Sequence, residues 1–233
     1  MKGLILKDLY TIRTQIIVGA IICLYPAVIL HLGLTNMLSD ISMSDSVASD
    51  LEKLMLSFVT LLISYCFIVP FSSFLLNTMK SDYECGWLKI QRTMPLNAGE
   101  AIGSKLICTG IVIGIFTLLA LIVNIIVLIR EPEFIIAEIA IAGPVCIGLL
   151  QVIAVAPCFP LGMKIGVKKT DGLYLTFVIL TGLILIIFGF AAFSNDISAT
   201  TIRIICYGIL PAAAALVTFV SYKAGKNQIV KDL

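Results

Sequence analysis

Six uninterrupted apolar runs, separated by short polar stretches, dominate the chain. They lie near residues 15–36, 54–77, 106–129, 134–157, 173–194 and 204–222. Each matches the roughly 20 helical residues that a bilayer crossing needs. The short alternating segments of a membrane β-barrel are not present. The pattern predicts an all-α integral membrane protein with six transmembrane helices, forming a single transmembrane domain over 1–233. Ahead of the first run, Ile5, Leu9, Ile12 and Ile16 recur at spacings of four, three and four, with Lys7, Thr11 and Thr14 opposite. This spacing predicts an interfacial helix over 1–14 that rests in the headgroup layer before the chain turns into the membrane. The alternative is a frayed polar leader, because the segment is short.

Composition supports lipid as the main solvent. The chain is 60% hydrophobic and only 13% charged, with a mean hydropathy of +1.09. A soluble domain is roughly 45–50% apolar and about 25% charged. The net charge of +2 gives no reason to expect a nucleic-acid partner. Charge placement is more informative. All but three of the 16 lysines and arginines fall on one side of the six-span topology, the exceptions being Lys53, Arg130 and Arg203. Positive loops stay inside, so both termini are expected in the cytoplasm. The first run is too long for a cleavable leader and has no small-residue cleavage site after it, so it is expected to remain as an anchor. None of the seven cysteines forms a CxxC pair, and six lie in or beside apolar runs, where a thiol acts as a small hydrophobe.

The longest connection on the positive side is 78–104. Ser81-Asp82-Tyr83-Glu84 fits a capping box, which predicts a short helix running through Trp87, Leu88 and Gln91 and stopping before Pro95. Trp87, Leu88 and Ile90 among Lys89 and Arg92 suit either a soluble partner or the lipid surface. Asn97 through Glu100 offers a second helix start leading into the third span. Within the spans, Glu138 lies one turn inside the outer end of the fourth. It reads either as a snorkelling rim acid or as a lining of a cargo path. Asn124 and Gln151 are expected to face protein, because an unsatisfied amide is costly in lipid; Asn124 is also a candidate for the cargo path. Gly103, Gly110 and Gly114 form a small-residue stripe, and Gly110-x-x-x-Gly114 signals close helix packing, within one subunit or between two. Pro70, Pro144 and Pro211 permit kinks.

These residues carry a resemblance. The opening Met1-Lys2-Gly3-Leu4-Ile5-Leu6-Lys7-Asp8-Leu9-Tyr10, the loop element Glu84-Cys85-Gly86-Trp87 and the stretch Met94-Pro95-Leu96 followed by Glu100 and Lys105 resemble small ABC-2-type transporter permeases. Met163-Lys164-Ile165-Gly166-Val167-Lys168-Lys169 is a weaker echo. Asn97-Ala98-Gly99 departs from the family's usual basic element after the proline. The resemblance implies the ABC-2-type exporter permease fold, with an N-terminal interfacial helix and a coupling helix after the second span. It implies that Ser81, Glu84, Trp87, Leu88, Gln91 and Arg92 belong to the segment that docks a separate cytoplasmic ATPase. It also implies a dimer with a second permease copy or homologue, in a bacterial cytoplasmic membrane. Among such permeases the chain looks most like those exporting phenol-soluble modulins and related amphipathic peptides.

The chain has no Gly-x-x-x-x-Gly-Lys-Ser/Thr loop to cradle phosphate. In Gly162-Met163-Lys164-Ile165-Gly166-Val167-Lys168-Lys169-Thr170 the glycines stand one residue too close, and Val167 occupies the lysine position. The stretch reads as a basic loop facing anionic lipid. No cofactor is therefore expected on this chain, with ATP and magnesium on the partner ATPase. The single histidine, His31, builds no metal site, and an enzyme is not expected. The competing readings are an ATPase-independent channel or secondary transporter, which a chain of intramembrane charges would favour, and a membrane immunity or interaction protein.

Overall fold

The computed structural model describes residues 2–40, 46–85, 98–130, 137–193 and 199–231. Within these, side chains are described except at 22–40, 46–56, 74–75, 98, 130, 138, 167–168, 188–193, 199–200, 202 and 229–231. The described residues are helical apart from short turns, and no strand occurs among them. The helices are α1 (Lys2–Asp40), α2 (Ser46–Ser72), α3 (Phe74–Glu84), α4 (Ala98–Arg130), α5 (Ala137–Val155), α6 (Cys158–Ile165), α7 (Val167–Phe193), α8 (Ala199–Ile204) and α9 (Leu210–Lys231). A π-helical turn, Ile205–Ile209, joins α8 to α9. Five stretches are long and apolar enough to cross a membrane among the described residues. They are Ser57–Glu84, Gly99–Ile129, Ile139–Ile165, Lys169–Ile187 and Ile205–Gln228. With α1 as a further long helix, this is an all-helical membrane fold.

The interior lies between α2, α4 and α5, which pack on one another. Helix α1 packs along α4 and α2, α9 covers α4 and α5, and α7 lies against α5, α6 and α3. Phe67, Ile68, Val112, Phe116 and Ile147 are buried at the centre, and Phe71 stacks on Phe116 with ring centroids 3.6 Å apart. The outer faces of α4 and α7 instead expose Ile111, Leu118, Ile122, Ile126, Ile179, Leu183 and Ile187. In water such faces would drive aggregation; in lipid they are the solvated surface.

Three expectations change at the level of elements. First, α1 is continuous over 39 residues, with no turn between the leader and the first span. At 1.5 Å per residue it is about 58 Å long, roughly twice the hydrocarbon thickness. Its backbone stays helical through Pro26, and the predicted apolar face continues in step. Leu9, Ile12 and Ile16 join the central core, so that face rests on protein. Second, Ser81 does not open a helix. It lies in the last turn of α3, and the N–H of Cys85 donates to its carbonyl at 2.9 Å. The second apolar run continues into α3, whose Leu76 and Met79 are buried, and this tertiary burial overrides the local capping signal. Third, Gly110 and Gly114 make no close contact within the described part of the chain: an added Cβ at either would meet no atom within 4 Å, which leaves only the between-subunit form of the packing expectation.

The close approaches occur elsewhere. A Cβ on Gly148 of α5 would stand 2.4 Å from Thr117 Oγ1 on α4, and one on Gly143 would stand 2.9 Å from Leu61 on α2. Three prolines stand at helix ends or changes of register, while Pro144 lies inside the unbroken α5. Pro70 lies inside α2, two residues before that helix ends. Pro157 caps α6 after the break that follows Val155. Just before Pro211 the N–H of Leu210 reaches the carbonyl of Ile205, one residue beyond the α-helical partner. Proline cannot supply the next α-type bond, and the wider π register precedes it.

Candidate functional site

Four charged side chains meet where the start of α1, the end of α3 and the start of α4 converge. Three of them, Asp8, Asp82 and Lys105, stand on stripes of their helices that are otherwise apolar and largely buried. Asp8 falls between Ile5 and Ile12; Asp82 follows Leu76 and Met79 at spacings of three; Lys105 lies between Ile102 and Cys108, again at spacings of three. Helix geometry therefore turns all three inward. Asp8 is 3% exposed and Asp82 is 6% exposed.

Isolated charges at such positions would be costly, and here they are paired. Lys105 Nζ donates to Asp8 Oδ1 at 2.9 Å and to Asp82 Oδ2 at 2.5 Å. Lys7 Nζ donates to Asp82 Oδ1 at 2.5 Å and stands 3.7 Å from Asp8. The two oxygens of Asp82 thus take one lysine each. The four charges alternate in sign and sum to zero. The Lys105 side chain is 12% exposed and that of Lys7 is 34% exposed, so the cluster has a dry side at Lys105 and a wet side at Lys7. An outer pair, Lys80 with Asp171, ties α3 to α7.

A second polar set crosses the bundle interior. Gln151 on α5 is fully buried; it donates to Thr181 Oγ1 at 3.2 Å and accepts from Ser72 at 3.1 Å. Tyr174 donates to the carbonyl of Val69 at 2.8 Å, and its hydroxyl lies 2.6 Å from Ser72 Oγ. Asn124 on α4 donates to Ser64 Oγ on α2 and to the carbonyl of Ala140 on α5, both at 3.1 Å. Both amides therefore face protein, as their cost in lipid requires. Cys108, Cys146, Cys158 and Cys206 are buried, while Cys66 and Cys85 are exposed. Among the described residues, no three of His, Cys, Asp or Glu gather to hold a metal ion.

The remaining candidate residues are distributed as follows. Ile5, Leu9, Ile12 and Ile16 line the inner face of α1, and Gly103 is buried at the start of α4. Glu84 is exposed at the end of α3 beside Tyr83 and Cys85. Trp87, Leu88, Gln91 and Arg92 lie outside the described residues, as do the side chains of His31 and Glu138. The charge cluster itself was missed, although the sequence carried its signal. Asp8, Asp82 and Lys105 each interrupt an apolar stripe of a helix, and their signs are complementary.

A bundle of apolar helices with polar cross-links inside and a closed charge cluster at one end defines a polytopic helical membrane protein. The family model described as ABC-2 family transporter protein matches residues 53–224, which run from α2 into α9. The chain belongs to that family. No curated protein matches it, and no solved structure does.

Proposed function

We propose that the chain is the permease subunit of an ATP-driven exporter, and that a separate ATPase docks on the segment between α3 and α4. The observation that carries this reading is the ion pairing of Asp82 with Lys105. These residues stand on either side of residues 86–97, so the helices that flank that segment are fastened to each other and to α1. A segment held this way can receive force from a soluble motor and deliver it to the helices. Family membership supplies the class of motor, an ATPase carrying its own phosphate loop, ATP and magnesium. The lysine and arginine distribution supports a cytoplasmic position for this end of the bundle and for both termini.

The cargo in this reading is hydrophobic or amphipathic, an exported peptide such as a phenol-soluble modulin or an antimicrobial peptide. It would leave between two permeases. Gly110 and Gly114, open to the outside of the chain, give a second copy a surface on which to pack closely. The test is co-purification in nanodiscs with the ATPase encoded beside the permease. Wild type should retain an active ATPase, and Trp87→Ala/Leu88→Ala should lose most of it. If wild type retains no ATPase, the exporter reading fails.

A further inference from the structure

Helix α1 has two faces. Asp8, Ile12 and Ile16 turn into the bundle. The other side carries Leu6, Tyr10, Arg13, Ile17 and Ile21, all exposed. These five follow one another at spacings of four, three, four and four, so they form one stripe along the helix. Arg13 is the only charge in that stripe. Among the described residues no carboxylate pairs with it. The charge cluster on the inner face is already balanced and leaves Arg13 its full charge. What Arg13 does have is the Tyr10 ring, whose centroid lies 3.9 Å from the guanidinium carbon. A ring face attracts the cation but gives its N–H donors no conventional acceptor.

The depth of Arg13 makes unused donors costly. Asp8 meets Lys105, and Ile12 shares a core cluster with Cys108 and Val112, so α1 and α4 run side by side in the same direction. Arg13 stands five residues beyond Asp8, about 7.5 Å further along the helix. That level is just inside the third apolar run, at the edge of the hydrocarbon. Side chains on a helix lean toward its N-terminus, which is the cytoplasmic end in the orientation proposed above. The guanidinium accordingly lies back over Tyr10, toward the headgroups, while Ile17 and Ile21 stay among the acyl chains.

We propose that the outer stripe of α1 is a binding site for one anionic phospholipid of the cytoplasmic leaflet. Arg13, stacked on Tyr10, donates to the phosphate oxygens, and an acyl chain lies along Ile17 and Ile21. Charge complementarity identifies the occupant. The guanidinium fork fits a phosphate with paired N–H bonds. A ligand with one anionic end and a long apolar end matches the order of groups along the stripe. A second permease would have to bring a carboxylate to the hydrocarbon edge to satisfy Arg13, a cost that a lipid phosphate does not carry.

Native mass spectrometry of the permease in detergent, titrated with phosphatidylglycerol or phosphatidylcholine, tests the site. Wild type should retain one phosphatidylglycerol per chain, about fivefold or more tighter than phosphatidylcholine. Arg13→Gln should weaken phosphatidylglycerol about tenfold. It strands no carboxylate, so its helicity by circular dichroism should match wild type. Tyr10→Leu keeps the apolar contact without the stack and should weaken the lipid about twofold or more. Lys223→Gln removes the same charge from the exposed side of α9 and should leave binding unchanged. Equal losses in Arg13→Gln and Lys223→Gln would reduce the effect to net charge and overturn the site. Displacement of the lipid by excess inorganic phosphate would also overturn it, because Arg13 would then be a plain anion site. So would wild-type dimers that hold no lipid and dissociate in Arg13→Gln, which would give the stripe to a second copy.

Discussion

Lys105→Met is the most incisive single change available at the charge cluster. Methionine keeps the length and apolar stem of the lysine, so packing beside Cys108 is retained and the lost element is the ammonium. In wild type that ammonium donates to Asp8 at 2.9 Å and to Asp82 at 2.5 Å. Without it, two carboxylates with side chains 4% and 9% exposed share only Lys7, whose own side chain is 34% exposed. One buried negative charge is then uncompensated, and breaking a buried pair in this way costs about 3–5 kcal/mol. Two charge-assisted hydrogen bonds at roughly 1.5–3 kcal/mol each give a similar figure. The assay is an SDS titration of the purified permease in detergent, followed by circular dichroism. The companion variant Asp8→Asn/Lys105→Met leaves Lys7 and Asp82 as a balanced pair and should be more stable than Lys105→Met alone. The coupling between the two sites should exceed about 2 kcal/mol. A Lys105→Met protein within about 1 kcal/mol of wild type, or a double variant as unstable as the sum of its parts, would refute the argument.

Two further outcomes follow from the helix interfaces. Gly148→Ala should destabilise the permease by about 1–3 kcal/mol in the same titration, because the new methyl meets Thr117 Oγ1 at 2.4 Å. Gly110→Ala, with nothing within 4 Å, should be neutral in the isolated permease; a large loss there would mean that its helix packs against a neighbour. Asn124→Ala removes both donations to α2 and α5 and should cost about 0.6–1.7 kcal/mol, from the average to the largest value for a hydrogen bond between membrane helices.

The spans were legible because lipid imposes a simple rule: about 20 apolar residues in a row, helical throughout. The stretches Gly99–Ile129 and Ile139–Ile165 contain the third and fourth predicted runs, 106–129 and 134–157, almost entirely. What stayed hidden depends on direction, which a local motif does not contain. Gly110-x-x-x-Gly114 has the composition of a packing seam, yet α4 turns it outward, while the unremarked Gly148 takes the close contact. Ser81 and Glu84 satisfy a helix-start pattern, yet the burial of Leu76 and Met79 carries α3 through them. The leader's apolar face was read correctly as a face and assigned to lipid. The presence of Asp8 within it was the sign that it meets protein, since a carboxylate on a lipid-facing stripe has no partner there.

The same stripes explain why the cluster is charged at all. A buried ion pair is a weak source of stability, and apolar residues of equal volume often do as well or better. Apolar side chains, however, tolerate sliding: a core accepts many hydrophobic arrangements before it loses its fold. Alternating charges do not. A shift of α4 along α1 by one turn, about 5.4 Å, would pull Lys105 from Asp8 and strand both. The cluster therefore specifies register where α1, α3 and α4 meet, which in the proposed docking reading is where a motor would otherwise push on sliding surfaces. Replacing all four charges together, as Lys7→Met, Asp8→Leu, Asp82→Leu and Lys105→Met, separates the two roles. The quadruple variant should unfold within about 2 kcal/mol of wild type or above it, unlike Lys105→Met. It should nevertheless lose the fixed position of α3, read as raised exchange over 74–84 with an unchanged signal over 106–129. If that variant keeps the protection of α3 intact, apolar packing alone sets the register, and the charges have some other purpose.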